Sequence, residues 1–402
     1  MVALALKEFI PNDIAFKLGA DAVDSVLTIM ASSMLAVTTF SLSTIVAAHA
    51  SAASAATPRA TELLLSDTTA QTMLSTFVGA FVYSLVGIIL LKTGVYGPSG
   101  RLVLFVVTIG VVALLVMSLL RWIDFLLRFG RLNETISRVE KAARAAMESR
   151  LREPALGAAL LDPGAPLPGD AVAIAAQKSG YVQHIDIAGL QECAGANDVE
   201  LYLTAQPGAR IHRGRPLAMA VGGDLTKDAR EALESAVRGA FSLGSDRSFD
   251  QDPRFGVIVM AEIASRALSP AVNDAGTAIA IIPRVADLIA IWSGQAGQEE
   301  ARYPRVHLPA VTIAELFDAF FLPVSRDGAG NAEMQIRMHK ALRALAEIGR
   351  LDRDFRFVGE ALRHSALALE RAQDHIGFSH DLERVRRAAH KVRLTAGEGA
   401  PA

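Results

Sequence analysis

Three long stretches of this chain carry no Asp, Glu, Lys or Arg, and they constrain the fold more than any other feature. They are residues 25–57, between Asp24 and Arg59; residues 68–91, between Asp67 and Lys92; and residues 102–120, between Arg101 and Arg121. A bilayer core about 30 Å thick needs roughly 20 helical residues rising 1.5 Å each. All three stretches reach that length. The sequence therefore predicts three transmembrane helices, at about 26–48, 69–91 and 102–120, in a membrane region spanning residues 25–120. A signal peptide has a basic start and one short apolar core. Here the first apolar run begins late and two more follow it.

The three runs differ in character. The third, rich in Val and Leu, reads as lipid-facing. The second carries Gly79 and Gly87 with Ser75 and Ala80, which suits close helix contact. The first is dense in Ser, Thr and Ala. At 100° per residue, Ser25, Thr28, Ser32, Thr39, Ser43 and Ser54 fall within a sector of about 80°. The plain reading of this stripe is helix packing, with each hydroxyl bonded back to its own backbone. The sharper reading makes Thr28, Ser32, Thr39 and Ser43 one wall of a polar path through the membrane.

Orientation follows from Lys and Arg. Arg121, Arg128, Arg131, Arg138, Lys141, Arg144, Arg150 and Arg152 follow the third run, whereas the loop before it holds only Lys92 and Arg101. The positive-inside rule places everything after residue 120 in the cytoplasm. Three spans then put the N-terminal segment, residues 1–24, outside. That segment has no span or signal of its own. It is expected either to cross unaided or to follow a true start upstream that supplies a further helix.

Beyond the membrane the 3.6-residue pattern continues through Trp122, Phe125, Phe129, Leu132, Ile136, Val139 and Ala143, predicting a helical stalk over residues 121–152 with Trp122 as an interfacial anchor. A Gly/Pro-rich linker precedes short apolar or alternating runs, 171–177, 180–186, 198–206 and 215–221. These predict a small β module over residues 169–222. The turn at 207–217 resembles part of the lipoyl- and biotinyl-type small barrels, which implies a barrel-like module. The modifiable lysine of those carriers is missing, since Lys178 and Lys227 lack the hairpin context. Residues 223–393 read as mostly helical, with caps at Asp224 or Thr226, Asp252-Pro253, Asp274, Thr312, Asn331 and Ser379. Residues 394–402 read as a disordered tail. The fold class is thus an α-helical membrane protein with a cytoplasmic α+β region, a small β-barrel-like module and a helical C-terminal part.

Chemistry is concentrated in residues 246–278. Asp250, Asp252, Glu262, Arg266, Asn273 and Asp274 form a candidate functional cluster that lines a pocket or binds a cation. The plain reading is helix capping and a structural ion pair between Glu262 and Arg266. No catalytic, cofactor-binding or metal-ligating set is evident. The nine histidines are scattered, and His375 and His380 lack the i, i+4 spacing of a metal helix. One cysteine, Cys193, excludes an intramolecular disulfide. A net charge of −2 offers no basic field for nucleic acid. The C-terminal helices are richer in Lys and Arg than in Asp and Glu, which reads as a solvated face or a membrane-surface contact.

The segments SSMLAVTTFSLSTIVAAH, TTAQTMLSTFVGAFVYSLV and QDPRFGVIVMAEIASRALSPAVNDAGTAI resemble the bacterial family of predicted membrane proteins catalogued as domain of unknown function 2254. The last is the most specific, with Gln251-Asp252-Pro253, Phe255-Gly256, Arg266-Ala267-Leu268-Ser269-Pro270, Asn273-Asp274 and Thr277 in place. The likeness covers roughly residues 20–300. Family members usually carry a further span before the region near Gly19, and Asn-Asp-Pro where Ala275 stands here. The resemblance implies an inner-membrane protein and brings no activity, cofactor or catalytic residue. Three functional expectations follow. The first is a non-enzymatic scaffold or sensor with a cytoplasmic domain. The second is an oligomeric ion or solute channel or transporter with the hydroxyl stripe lining the path. The weakest is an enzyme using the 250–277 cluster. Lipid and further copies of the chain are the expected partners.

Overall fold

The computed structural model describes residues 20–55, 57–60, 68–93, 95, 98–128, 131–161, 169, 171–223, 225–294 and 301–397. Residues 1–19 of the N-terminal segment read over 1–24, residues 162–168 of the linker, Asp224 and residues 398–402 of the tail read over 394–402 lie outside the described residues. The chain divides into two compact units, Met1–Thr135 and Ile136–Ala402.

The first unit holds α1 (Ala20–Ala55), α2 (Thr68–Lys92) and α3 (Pro98–Arg128). Three segments of them, Ala22–Ala48, Thr69–Lys92 and Gly100–Leu127, are long and apolar enough to cross a membrane. Only 22% of the most apolar window of each is buried. The outward surface carries Ile29, Phe40, Val46, Ile89, Val106, Leu114 and Leu120. Apolar exteriors of this extent belong to a hydrocarbon environment, not to water. Inside, Met30, Ile45, Phe77, Ala80, Leu115 and Trp122 form a core. Trp122 is buried edge-on against Phe77, with ring centroids 6.4 Å apart. It packs inside the bundle, where Phe125, three residues on, stacks on it. Gly87 sits where a Cβ would approach Leu27 Cδ1 to 2.9 Å, the close contact its small size permits. Gly79 has open space instead. A hydrogen bond of 2.9 Å between Tyr83 Oη and Thr108 Oγ1 joins α2 to α3.

The second unit begins within α4 (Leu132–Arg152). Arg131 is non-helical, so the expected continuous stalk is interrupted between α3 and α4. Ile136, Val139, Ala143, Ala146 and Met147 form one buried stripe along α4. A 3-10 turn (Pro154–Gly157) leads into β1 (Ala158–Leu161), β2 (Val172–Ala175) and β3 (Gly180–Ile185). Next come α5 (Ile187–Asn197), β4 (Val199–Leu203), β5 (Arg210–Ile211), β6 (Pro216–Gly222), α6 (Lys227–Gly239) and β7 (Phe241–Gly244). Then follow α7 (Pro253–Leu268), α8 (Ala275–Ala290), β8 (Tyr303–Pro309), α9 (Ile313–Asp327), α10 (Ala332–Leu351), α11 (Phe355–His375) and α12 (Ser379–Ala396).

The four runs read as strands are β2, β3, β4 and β6. They do not close into a barrel. One mixed sheet has the order β1-β8-β4-β6-β2, and a second has β5-β3-β7. The five-stranded sheet gains β1 and β8 from outside residues 169–222, both through parallel pairing. The helix α5, unforeseen in the sequence, separates β3 from β4 and so places them in different sheets. Asp186 caps it, accepting from the Gly189 amide. Ile174, Val182, Leu190, Leu201, Leu203 and Val306 fill the core between these sheets and helices.

Local signals in the helical part hold well. Thr226, Asp252, Asp274, Thr312 and Asn331 each accept a backbone N–H of the following turn. Ser379 does not: Phe378 takes the cap position with no side-chain bond, and α12 starts at Ser379 itself. Helix α12 runs to Ala396, into residues that read as tail.

Candidate functional site

The polar centre of the second unit forms where the chain enters α7. Pro at the first helical position and Asp252 before it fix the helix start. Gln251 reaches back to β3. Its Oε1 accepts from the Ile185 amide at 2.8 Å and its Nε2 donates to the Ile185 carbonyl at 3.2 Å. This side chain thus mimics a strand partner and ties the three-stranded sheet to α7.

Asp252 is 2% exposed and accepts from four donors. Its Oδ1 accepts from the Arg254 amide at 3.2 Å and from Arg254 Nε at 3.0 Å. Its Oδ2 accepts from Arg247 Nε at 3.1 Å and also from Arg247 Nη2. Arg254 continues outward: Nη1 donates to Glu315 Oε1 at 2.6 Å and Nη2 to the Pro207 carbonyl at 2.7 Å. Glu315 is itself the third residue of a capping box with Thr312 at the start of α9. Burial pulls the Arg254 guanidinium down, but Asp252 and Glu315 outweigh it and hold the group above its ordinary value. Gly208 completes the centre. Its φ is +83°, and a Cβ there would fall 1.9 Å from Asp252 Oδ2, so only glycine fits.

A third arginine presses in from α4. Arg150 is 5% exposed, and its Nη2 donates to the Gln251 carbonyl. Its Nε is buried with no partner among the described residues. Burial pulls its pKa down to about 10; Asp252 opposes that shift and Arg254 adds to it. In the sequence Arg150 counts only as one of the positive charges that set the orientation. It occupies instead the next position of the stripe 136-139-143-147, a periodicity that marks it as inward-facing.

A cavity of about 650 Å³ opens beside this centre, with Gln206, Gly208, Arg247, Arg254, Glu315 and Asp318 among its lining residues. The ionic chemistry of its walls is of both signs. Among the described residues no group of three His, Cys, Asp or Glu side chains comes together to hold a metal ion.

The six residues grouped by sequence do not form one site. Asp250 and Asp252 lie at the start of α7, and Asn273 and Asp274 lie past its end. Sixteen helical residues separate the pairs, roughly 24 Å at 1.5 Å each. Asp250 is exposed, and Glu262 and Arg266 sit one turn apart along α7, half-buried. Asn273 is left-handed, with φ 51°, and turns the chain. Asp274 caps α8. The Thr277 hydroxyl and amide hold its carboxyl below the usual range. Sequence reasoning thus found Asp252 and missed its partners Arg247 and Arg254, as well as Glu315, which pairs with Arg254, and Arg150, which donates to the Gln251 carbonyl.

The four residues of the membrane stripe share one surface. Thr28, Ser32, Thr39 and Ser43 are all exposed on the outside of the three-helix unit. Ser32 donates to the Thr28 carbonyl, Thr39 to that of Leu35 and Ser43 to that of Thr39, each at 3.0 Å. These hydroxyls are satisfied by their own helix.

With three apolar helices and the 251–277 motif in place, comparison with known proteins gives a clear family. The model of the predicted membrane protein family DUF2254 matches residues 1–344. The chain belongs to this family. Curated relatives include uncharacterized proteins of Mycobacterium tuberculosis (strain H37Rv) and Mycobacterium bovis. Each is 30% identical over 147 residues, covering 34% of this chain and 27% of the relative. The chain thus spans about a quarter of the length of the curated relatives it matches. No solved structure matches it.

Proposed function

We propose that this member of DUF2254 sits in the bacterial inner membrane with its second unit in the cytoplasm, acting there as a non-enzymatic sensing or scaffolding domain. One observation carries the reading. The ion-pair centre at Asp252 links the 207–208 turn, α7 and α9, and it forms a wall of the 650 Å³ cavity. A ligand that engages Arg254 or Glu315 takes them from partners that hold these elements together. Its binding is therefore transmitted as a change in their packing. The Lys/Arg excess after residue 120 supports the cytoplasmic placement.

Two experiments test this. A C-terminal green fluorescent protein fusion should fluoresce and an alkaline phosphatase fusion should be inactive; the opposite pair of results reverses the orientation. In a metabolite screen on the full chain in detergent, ligands that raise the melting temperature should lose that effect in Arg254→Gln. Reproducible turnover abolished by Asp274→Ala would instead make the protein an enzyme.

A second reading, an oligomeric channel or transporter, is favoured by the outward placement of Thr28, Ser32, Thr39 and Ser43. A homo-oligomer would gather these stripes around a shared axis. Cysteines placed at Thr28, Ser32 and Thr39, in a chain with Cys193→Ser, should then react with aqueous thiol reagents. Inaccessible cysteines end this reading.

A further inference from the structure

Helices α10 and α12 pack together at the C-terminal end of the second unit and leave a groove of about 440 Å³ between them. The volume is within the roughly 300–1,000 Å³ of small-molecule sites. Each wall presents one helical face. Ile336, His339, Lys340 and Arg343 stand at i, i+3, i+4 and i+7 on α10, and Arg384, Arg387, Ala388 and Lys391 repeat that spacing on α12. Five of these eight residues are cations, and none is a carboxylate.

Charge balance within the protein accounts for two of the five. Arg343 pairs with Glu347 at 3.1 Å, and Arg384 pairs with Glu333 at 3.3 Å and Asp381 at 3.2 Å. Lys340, Arg387 and Lys391 have no carboxylate partner among the described residues. Like charges one turn apart, as Arg387 and Lys391 are, repel each other on a helix. A solvated face tolerates that repulsion, but it does not explain the floor of the groove. There His339 is fully buried. Its Nδ1 meets Ser365 Oγ of α11 at 3.1 Å, and its Nε2 has no partner among the described residues. A buried polar nitrogen without a partner, on a residue of a groove also lined by three cations without carboxylate partners, is matched by an anion that also accepts a hydrogen bond. Burial, reinforced by Arg393, holds this imidazole neutral, with its pKa at about 4, and in the tautomer whose Nδ1 accepts from Ser365 Oγ the Nε2–H is left as a donor.

We propose that this groove binds a phosphate group, as the free anion or as a lipid headgroup, through Lys340, Arg387 and Lys391 with His339 Nε2 at its floor. A phosphate monoester matches the set because it brings up to two negative charges and several acceptor oxygens to one point. The groove is separate from the Asp252 centre. Its α10 wall lies within the family match, which ends at residue 344, and its α12 wall lies past it.

The test uses the full chain in phosphatidylcholine nanodiscs, titrated calorimetrically with inorganic phosphate and, separately, with dihexanoyl phosphatidic acid. Arg387→Gln/Lys391→Gln should weaken binding about tenfold or more, as loss of charge-assisted bonds implies. Arg337→Gln/Arg386→Gln removes the same charge from positions of the same helices that do not line the groove and should leave binding unchanged. Binding of both probes shows that the phosphate group suffices. Binding of phosphate alone assigns the free anion, and binding of the lipid alone assigns the headgroup. Failure of both probes to bind at millimolar concentration overturns the proposal, as does an equal loss in the two double variants.

Discussion

Replacing Asp252 by Ala tests the physical account of the ion-pair centre. The carboxylate is 2% exposed. The guanidinium side chains it serves, those of Arg247 and Arg254, are 19% and 16% exposed. None of the three is exposed enough for the surface range of about 0–1 kcal/mol to apply. Removing one partner of a buried pair costs about 3–5 kcal/mol, because the remaining charges stay buried. The lost cap on α7 contributes about 1 kcal/mol of this. Arg254 keeps Glu315 and the Pro207 carbonyl, so the expected loss is near the lower end, about 3 kcal/mol. For a unit of this size that corresponds to a fall in melting temperature of roughly 6–12 °C. Asp252→Asn keeps a capping acceptor and removes only the charge, so it should fall between wild type and Ala. Asp250→Ala, two residues away and exposed, should stay within about 0.5 kcal/mol of wild type. Thermal unfolding of the full chain in detergent, followed by circular dichroism, reads all three. If Ala at 252 costs no more than Ala at 250, the ion pairs do not stabilise the unit as argued.

Three further outcomes are expected. Gly256→Ala should destabilise by about 1–3 kcal/mol, because its Cβ would fall 2.2 Å from Ala143 Cβ and force α4 from α7; an unchanged melting temperature refutes that contact. Burial holds His339 and His364 neutral, each with a pKa of about 4, Arg393 adding to the effect at His339 and Arg363 at His364. The unfolded chain protonates both below about 6.5, so folding stability should fall as pH drops from there towards 4, by up to roughly 1.4 kcal/mol per unit per histidine. Equal unfolding midpoints at pH 7 and pH 5 contradict this. Arg150→Met should leave stability within about 1 kcal/mol of wild type or raise it, since a buried guanidinium with an unpartnered Nε gives up desolvation cost when replaced by an apolar chain of similar length. A loss comparable to that of Asp252→Ala would show that Arg150 is a true member of the ion-pair centre.

Much of this architecture is written locally. The membrane spans follow from uncharged runs of sufficient length, and the caps at Thr226, Asp252, Asp274, Thr312 and Asn331 follow from a side chain meeting an amide two or three residues on. Such interactions close within one helical turn, so adjacent residues determine them. The strands β2, β3, β4 and β6 were likewise legible from short apolar runs bounded by turn residues. Their arrangement was not. The parallel partners β1 and β8 come from segments about 145 residues apart, and the pairing of Ala159 with His307 depends on everything folded between them. The same holds for the candidate site. Arg254 and Glu315 are 61 residues apart, and Arg150 and Gln251 are 101 apart. Proximity in sequence grouped Asp252 with Asp274, yet a rigid helix holds them at its opposite ends. The sequence by itself determined the membrane spans, most of the helices and the strands β2, β3, β4 and β6, because those choices depend on neighbours within a turn or a pleat, whereas α5, β1 and β8 emerged only with the fold. Only the tertiary structure decided which charges are buried, which of them pair and which faces form a groove, because each of those depends on chain segments brought together from far apart.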